Sequence, residues 1–235
     1  EHLVAAGVQI VAMDTPGYGA SDPPPAPVGI ADYGDSIAAV LDGMGWERPA
    51  ILGHHTGASL AAAFSARQPH RVGALILNGV PLLSKEEREF FDGFSFSPLQ
   101  IETDGSHLMA AWKQRLAASP GWTDLAAMHR YVVEMLGNPE RYHWGFEAAF
   151  AHDLRSDLLA ISSPTMILTN TGEDLYQASR RAHDLRPDFD FRELVGGTHD
   201  IVDEQPAAWA QQVSQWLQGN CEQVAGSGRA AGSDH

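Results

Sequence analysis

Gly53-His54-His55-Thr56-Gly57 is the stretch that most restricts what this chain can fold into. It follows a short apolar run, Ala50-Ile51-Leu52, and opens a helical pattern from Ala58 to Gln68. A strand that turns sharply into a helix pushes the residue at the tip of the turn out above the sheet, and glycines flank such a turn where a Cβ would crowd the neighbouring strand or helix. On that reading both Gly53 and Gly57 are there to avoid a clash, and His55 is the tip residue, with a positive φ and its ring facing a cleft. Its neighbour His54 is expected to point to a different side of the turn. Ser59, in Gly57-Ala58-Ser59-Leu60-Ala61, falls about one helical turn further on and cannot lie at the tip.

Strand-like and helix-like runs alternate along the rest of the chain. Buried strands are predicted at 8–13, 49–53, 72–77, 164–169 and 189–195, with helices at Ile30 to Met44, 176–185 and 204–218. Each strand is a continuous apolar run, which implies a parallel sheet covered on both faces: an α/β fold. About 85 residues between the third and fourth predicted strands break the alternation. Leu108, Met109, Trp112 and Leu116 make one apolar helical stripe there. Leu125, Met128, Val132, Val133 and Leu136 make a second, stopped by Gly137. Asn138 followed by Pro139 predicts the start of a third helix, carrying Tyr142, Phe146 and Phe150. The expected organisation is therefore a core of 1–81 and 161–218, an inserted helical cap at 82–160 and a disordered tail at 219–235.

Composition narrows the partners. Of the 235 residues, 30 are acidic and 15 basic, a net charge of −15. No basic patch interrupts this, so nucleic acid and anionic membrane surfaces are not expected partners. No apolar run reaches about 18 residues, the length a membrane-spanning helix needs. Cys221 is the single cysteine, which rules out a disulfide within the sequence and makes a reducing, cytoplasmic location the expectation. The sequence opens Glu1-His2-Leu3-Val4 without Met, and the expectation is that it is a fragment of a longer protein.

Four motifs in order, Asp14-x-x-Gly17-x-Gly19-x-Ser21, Gly53-x-His55-x-Gly57, Gly172-Glu173-Asp174 and Gly196-Gly197-Thr198-His199-Asp200, resemble the α/β-hydrolase family in its cap-containing branch, over roughly residues 1–218. The resemblance implies a nucleophile, an acid and a histidine in that chain order. The acid is then Asp174, with Glu173 beside it as the rival, and the histidine is His199. It also marks two departures. His55 stands where G-x-Ser-x-G has its serine. The family's further strands, and the His-Gly loop that donates one oxyanion N–H, lie upstream of anything resembling Val8. That leaves the Thr56 N–H as oxyanion donor, and loss of one such donor slows catalysis by about 10²–10³. His54, Trp112 and Trp144 are candidate substrate-binding groups.

No cofactor or metal is expected. Gly17-Tyr18-Gly19 lacks the third glycine of a dinucleotide fingerprint, and no P-loop sequence is present. His129, His143 and His152 read as surface or packing residues of the cap. Three functions fit: hydrolysis of a small apolar ester, lactone or related carbonyl compound, with His199 and Asp174 activating water and His55 as second base or binding group; a cofactor-independent lyase or oxygenase in which a His–Asp dyad removes a proton; or a ligand-binding protein without catalysis. A retained acid–histidine pair separates the first two from the third.

Overall fold

The computed structural model describes residues 1–93 and 98–227. A one-turn helix α1 (His2–Ala5) precedes α2 (Ile30–Met44), β1 (Ala50–His54) and α3 (Thr56–Arg67). After β2 (Ala74–Asn78) comes a helical insert: α4 (Lys85–Gly93), α5 (Ser106–Ala118), α6 (Leu125–Gly137), α7 (Trp144–Ala151) and α8 (Leu154–Ala160). The chain returns to the sheet in β3 (Thr165–Asn170), α9 (Tyr176–Leu185) and β4 (Asp190–Leu194), and closes with α10 (Ile201–Glu204) and α11 (Pro206–Ser227). Among the described residues no helix is long and apolar enough to cross a membrane.

The four strands are parallel and lie in the order β1-β2-β3-β4. Registers such as Gly53↔Leu77 and Leu77↔Ile167 bring the carboxyl ends of the strands to one edge, so the loops after β1, β2, β3 and β4 meet there. Alternation along β2 and β3 splits the core. Leu75, Leu77 and Ile167 pack with Ile30, Tyr33, Leu41 and the Ala-rich, fully buried face of α3. Ile76, Met166 and Leu168 pack on the other side against Trp209, Val213 and Trp216 of α11. Small side chains at Ala58, Ala61, Ala62 and Ala63 let α3 lie close over the sheet, and this helix descends directly from the turn at His55.

Four expectations change. The apolar run at 8–13 is not a strand; Ile10 and Val11 are 43% and 39% exposed. Strand structure exists only through ladder bonds to a neighbour, and none of the described strands pairs with this run. The third insert helix begins at Trp144 rather than Pro139. The Asn138 Nδ2 donates to the Gly17 carbonyl at 2.6 Å and the Tyr142 carbonyl accepts from the Tyr18 hydroxyl at 2.7 Å, so this stretch is tied to the 14–22 loop by tertiary bonds at both ends. Helix α11 continues to Ser227, past the 219 boundary drawn for a disordered tail; residues 228–235 of that tail lie outside the described residues. Finally, the two glycines of the turn differ. A Cβ on Gly53 would sit 2.0 Å from the Gly57 carbonyl oxygen and 2.7 Å from the Ala58 nitrogen, whereas one on Gly57 meets nothing within 4 Å.

This asymmetry gives a test. Gly53→Ala forces backbone apart and is expected to lower unfolding free energy by at least ~2 kcal/mol, in the upper part of the range for overpacking. Gly57→Ala, inside α3 with open space, is expected to be neutral or to stabilise by up to ~1 kcal/mol. Urea unfolding of both variants checks this; equal destabilisation would contradict it.

Candidate active site

His55 sits between β1 and α3 with φ 50° and ψ −110°, and among the described residues it alone has positive φ without being glycine. Its N–H donates to the Asn78 carbonyl at 2.8 Å, and its own carbonyl accepts from Ala58 at 2.8 Å. Asn78 is itself fixed: its amide donates to the Leu168 carbonyl at 3.1 Å and its oxygen accepts from Trp209 Nε1 at 2.6 Å. The end of β2, which offers no carboxylate, thus supports the turn through its backbone. Gly79 follows, with φ 64°, and a Cβ there would lie 2.2 Å from His55 Cδ2. The absent side chain is the space the imidazole occupies.

Both nitrogens of that imidazole are engaged. Nε2 lies 2.8 Å from Glu173 Oε2, and Nδ1 lies 3.0 Å from Nε2 of His199. The far nitrogen of His199, Nδ1, lies 3.2 Å from Asp174 Oδ1. Four side chains from three loops therefore form one row: Glu173, His55, His199, Asp174. The row runs from inside to outside, since the Glu173 side chain is 0% exposed, while His199 and Asp174 side chains are 34% and 47% exposed. Of the two adjacent acids, Asp174 is the one beside His199, and Glu173 reaches His55.

The loops are held by further bonds. Glu173 Oε1 accepts from the Thr169 hydroxyl and, at 3.4 Å, from the Asn170 N–H. The Asn170 amide donates at 3.1 Å to the carbonyls of Gly196 and Thr198, drawing the loop of His199 onto the end of β3. Arg115 of α5, which sequence reasoning did not single out, is buried and pairs with Asp200 and Ser119. Its guanidinium lies 4.5 Å from the ring centroid of Tyr131, whose hydroxyl donates to Asp203 at 2.7 Å. The insert is thereby fastened to the loop that carries His199. Lone cations and tyrosines on amphipathic helices give no sequence signal of such a role.

Electrostatics separate the two ends of the row. Burial pushes Glu173 up to about 7, against the opposing hydrogen bonds from Thr169 and Asn170; the nearby Asp174 adds to the rise. Burial also holds His55 well below the ordinary imidazole value, helped by His54, His199 and Arg115. Burial raises Asp174 as well, but the hydrogen bond and charge of His199 and the backbone amides outweigh it, and the net shift is downward.

The remaining candidates are placed as follows. His54 does not point away from His55: the rings stack with centroids 4.0 Å apart, and burial lowers His54 to about 4. Its Nε2 is buried and has no partner. Thr56 opens α3, where first-turn amides have no intrahelical acceptor. Trp112 lies half-buried on α5, and Trp144 opens α7 with the Arg141 guanidinium 5.6 Å from its ring; neither indole enters the row. His143 and His152 of the insert approach Glu147 and Asp157, while His129 on α6 is exposed. In the loop after residue 13, Asp14 accepts from the Ala20 N–H at 2.9 Å, and the Tyr18 hydroxyl accepts from Gly145 at 2.9 Å, so this motif ties the turn to α7. Among the described residues no three or more ligating side chains converge on a point that could hold a metal ion.

Comparison with known proteins places this geometry in context. The family model for the alpha/beta hydrolase fold matches residues 1–206. A 2-hydroxy-6-oxononadienedioate/2-hydroxy-6-oxononatrienedioate hydrolase of Pseudomonas putida is 42% identical over 80 residues, which are 34% of this chain and 28% of that protein. The match thus spans little more than a quarter of that relative's length. An E-2-(acetamidomethylene)succinate hydrolase superposes with a TM-score of 0.69 at 18% identity, covering 87% of this chain and 80% of the other. The enol-lactonase from Burkholderia xenovorans LB400 gives 0.69 at 18%, covering 87% and 79%. At these identities the two structures speak for the fold.

The shift of Glu173 has a sign that thermal unfolding can read. A carboxyl raised from about 4.5 to about 7 on folding contributes stability that is complete below its unfolded value and is lost as pH rises through 7. Glu173→Gln removes that dependence and leaves the opposite one of His54 and His55, whose lowered values add stability as pH rises towards about 6.5 and no more above it. The Tm of Glu173→Gln minus that of the wild type is therefore expected to increase from pH 5 to pH 8. A constant difference would contradict it.

Proposed function

The chain belongs to the alpha/beta hydrolase fold family, and on that premise we propose that it hydrolyses a small, largely apolar ester, lactone or related carbonyl compound without an acyl-serine intermediate. One observation carries the reading: the Nδ1 of His55, in the position of the family's nucleophile, lies 3.0 Å from His199 Nε2, whose other nitrogen faces Asp174. In a serine enzyme that Nε2 receives the nucleophile's proton, and the carboxylate beyond it holds the tautomer and stabilises the imidazolium. Here the facing pair of nitrogens holds one proton between them, so one of the two is a base at any moment. When the 3.0 Å contact opens, the lone pair of that nitrogen turns to water and takes its proton as the water adds to the carbonyl carbon, and the proton returns to the leaving oxygen. The Thr56 N–H, at the start of α3, is the donor for the oxyanion.

Nε2 of His199 faces His55 rather than open solvent. This favours a shared role for the two rings over water activation by His199 alone, and makes His55 more than a binding group. The relatives support carbonyl chemistry: one is a 2-hydroxy-6-oxononadienedioate/2-hydroxy-6-oxononatrienedioate hydrolase, and a protein of the same fold is an enol-lactonase. A second reading draws on the same contacts. With both His55 nitrogens occupied, the dyad could serve only to hold the ring in a ligand-binding protein, which would bind carbonyl ligands without turnover.

The experiment is kcat/KM on a panel of short acyl esters and small lactones, with fluorophosphonate labelling in parallel. The wild type is expected to turn over at least one member while no serine is labelled. His199→Ala and His55→Ala should each lose about 10² or more, the usual contribution of a positioned general base. Ligand binding with no turnover would support the second reading, and serine labelling would overturn the proposal.

A further inference from the structure

The row of four side chains has three gaps, Glu173–His55, His55–His199 and His199–Asp174, at 2.8, 3.0 and 3.2 Å. At these distances each gap needs one proton, because two lone pairs facing one another across it repel. Three protons on two carboxylates and two imidazoles leave one negative charge. The question is where that charge and the innermost proton sit.

Geometry answers it at Glu173. The Asn170 N–H can only donate, and it donates to Oε1, as does the Thr169 hydroxyl. Oε1 is therefore an acceptor, and a proton on this carboxyl belongs on Oε2, aimed at His55 Nε2. With the proton there, His55 carries its own on Nδ1 and donates to His199 Nε2, and His199 donates from Nδ1 to Asp174. Every gap is filled, both rings are neutral, and the one charge lies on the Asp174 side chain, 47% exposed, instead of on the wholly buried Glu173. An unpaired charge is far cheaper to hold beside water than away from it.

We propose that Glu173 is the positioning residue for His55: protonated in the resting protein, it sets the Nδ1–H tautomer of His55 and exchanges a proton with its Nε2 whenever Nδ1–H is given up to His199. The exchange balances. The Nδ1 proton of His55 moves to His199 Nε2, the Oε2 proton of Glu173 moves to His55 Nε2, and the count stays at three. His199 becomes the imidazolium beside Asp174, Glu173 becomes the carboxylate, and His55 stays neutral, its Nδ1 lone pair now accepting from His199 Nε2–H. Without Glu173, the same transfer would leave His55 as an imidazolate anion in a buried site. The charged groups around this end are His54, His199 and Arg115 towards His55, and Asp174 and His199 towards Glu173. Burial and Asp174 raise the Glu173 carboxyl, in keeping with a proton held there. The role deepens the hydrolytic reading and rests on it for its use in turnover, though not for its existence.

Ring-nitrogen chemical shifts of the uniformly ¹⁵N-labelled chain test it, with His55 assigned through its loss in His55→Ala. In the wild type His55 is expected as the Nδ1–H tautomer at pH 5 and as Nε2–H at pH 9, with no doubly protonated form between. In Glu173→Gln the amide oxygen keeps the bonds from Thr169 and Asn170, the NH₂ faces His55, and Nδ1–H persists across the whole range. The same variant should lose at least about tenfold in kcat with KM unchanged, as for a positioned proton-transfer group. An imidazolium at His55 by pH 5 in the wild type, or an unchanged tautomer switch in Glu173→Gln, would overturn the proposal. Should the wild type hydrolyse nothing, the hydrolytic reading fails while the ¹⁵N result still decides the relay.

Discussion

His55 keeps a left-handed backbone at the turn between β1 and α3, φ 50° and ψ −110°. For a residue with a side chain such strain amounts to roughly 1–3 kcal/mol and persists only where surroundings over-determine it. Here they do. The N–H is tied to Asn78, the ring is clamped at both nitrogens, Gly53 lets the strand pass under the start of α3, and Gly79 vacates the space beside the imidazole. Parallel pairing in the order β1-β2-β3-β4 brings the other three loops to the same edge. The turn selects the site, and the sheet supplies its partners.

Charge is graded along the row of partners. Glu173 and His55 lie inside, and burial disfavours the charged form of each. Asp174 and His199 lie at the rim, where solvent and their mutual contact let a carboxylate stay ionised. A proton moved along this row would change charge at its inner end without exposing the His55 ring to water. The pairing of Arg115 with Asp200 fixes the outer loop from the insert side. Breaking a buried pair of this kind removes about 3–5 kcal/mol, because one charge is left uncompensated.

Much of this is legible in the residues themselves, because it is local. The turn at 53–57 announces itself by its glycine spacing between an apolar run and a helical pattern, and the strands β1 to β3 by short apolar runs; β4 carries Asp190, Arg192 and Glu193 among its apolar residues. Placing Asp174 and His199 at strand ends follows from motif order, and the structure sets them 3.2 Å apart. What could not be read is what depends on partners distant in sequence. The run at 8–13 has strand composition but, among the described residues, no strand that pairs with it. Pro139 has helix-start chemistry, yet the tyrosine and the carbonyl it must compete with come from 14–22. Gly57 and Gly53 look alike in sequence, and only the approach of backbone to backbone separates them. Glu173, adjacent to Asp174, was a rival for one partner and has another, because side chains one residue apart on a tight turn diverge.

The central claim is that His55 and His199 act as one unit, and a double-variant cycle tests it most directly. kcat/KM is measured for His55→Ala, His199→Ala and the two combined on one ester. Residues that act as a unit lose their contribution with the first substitution. The account predicts that the combined variant is within about threefold of the weaker single one. Losses that multiply, so that the double variant falls by the product of the single effects, would show two independent groups and contradict it.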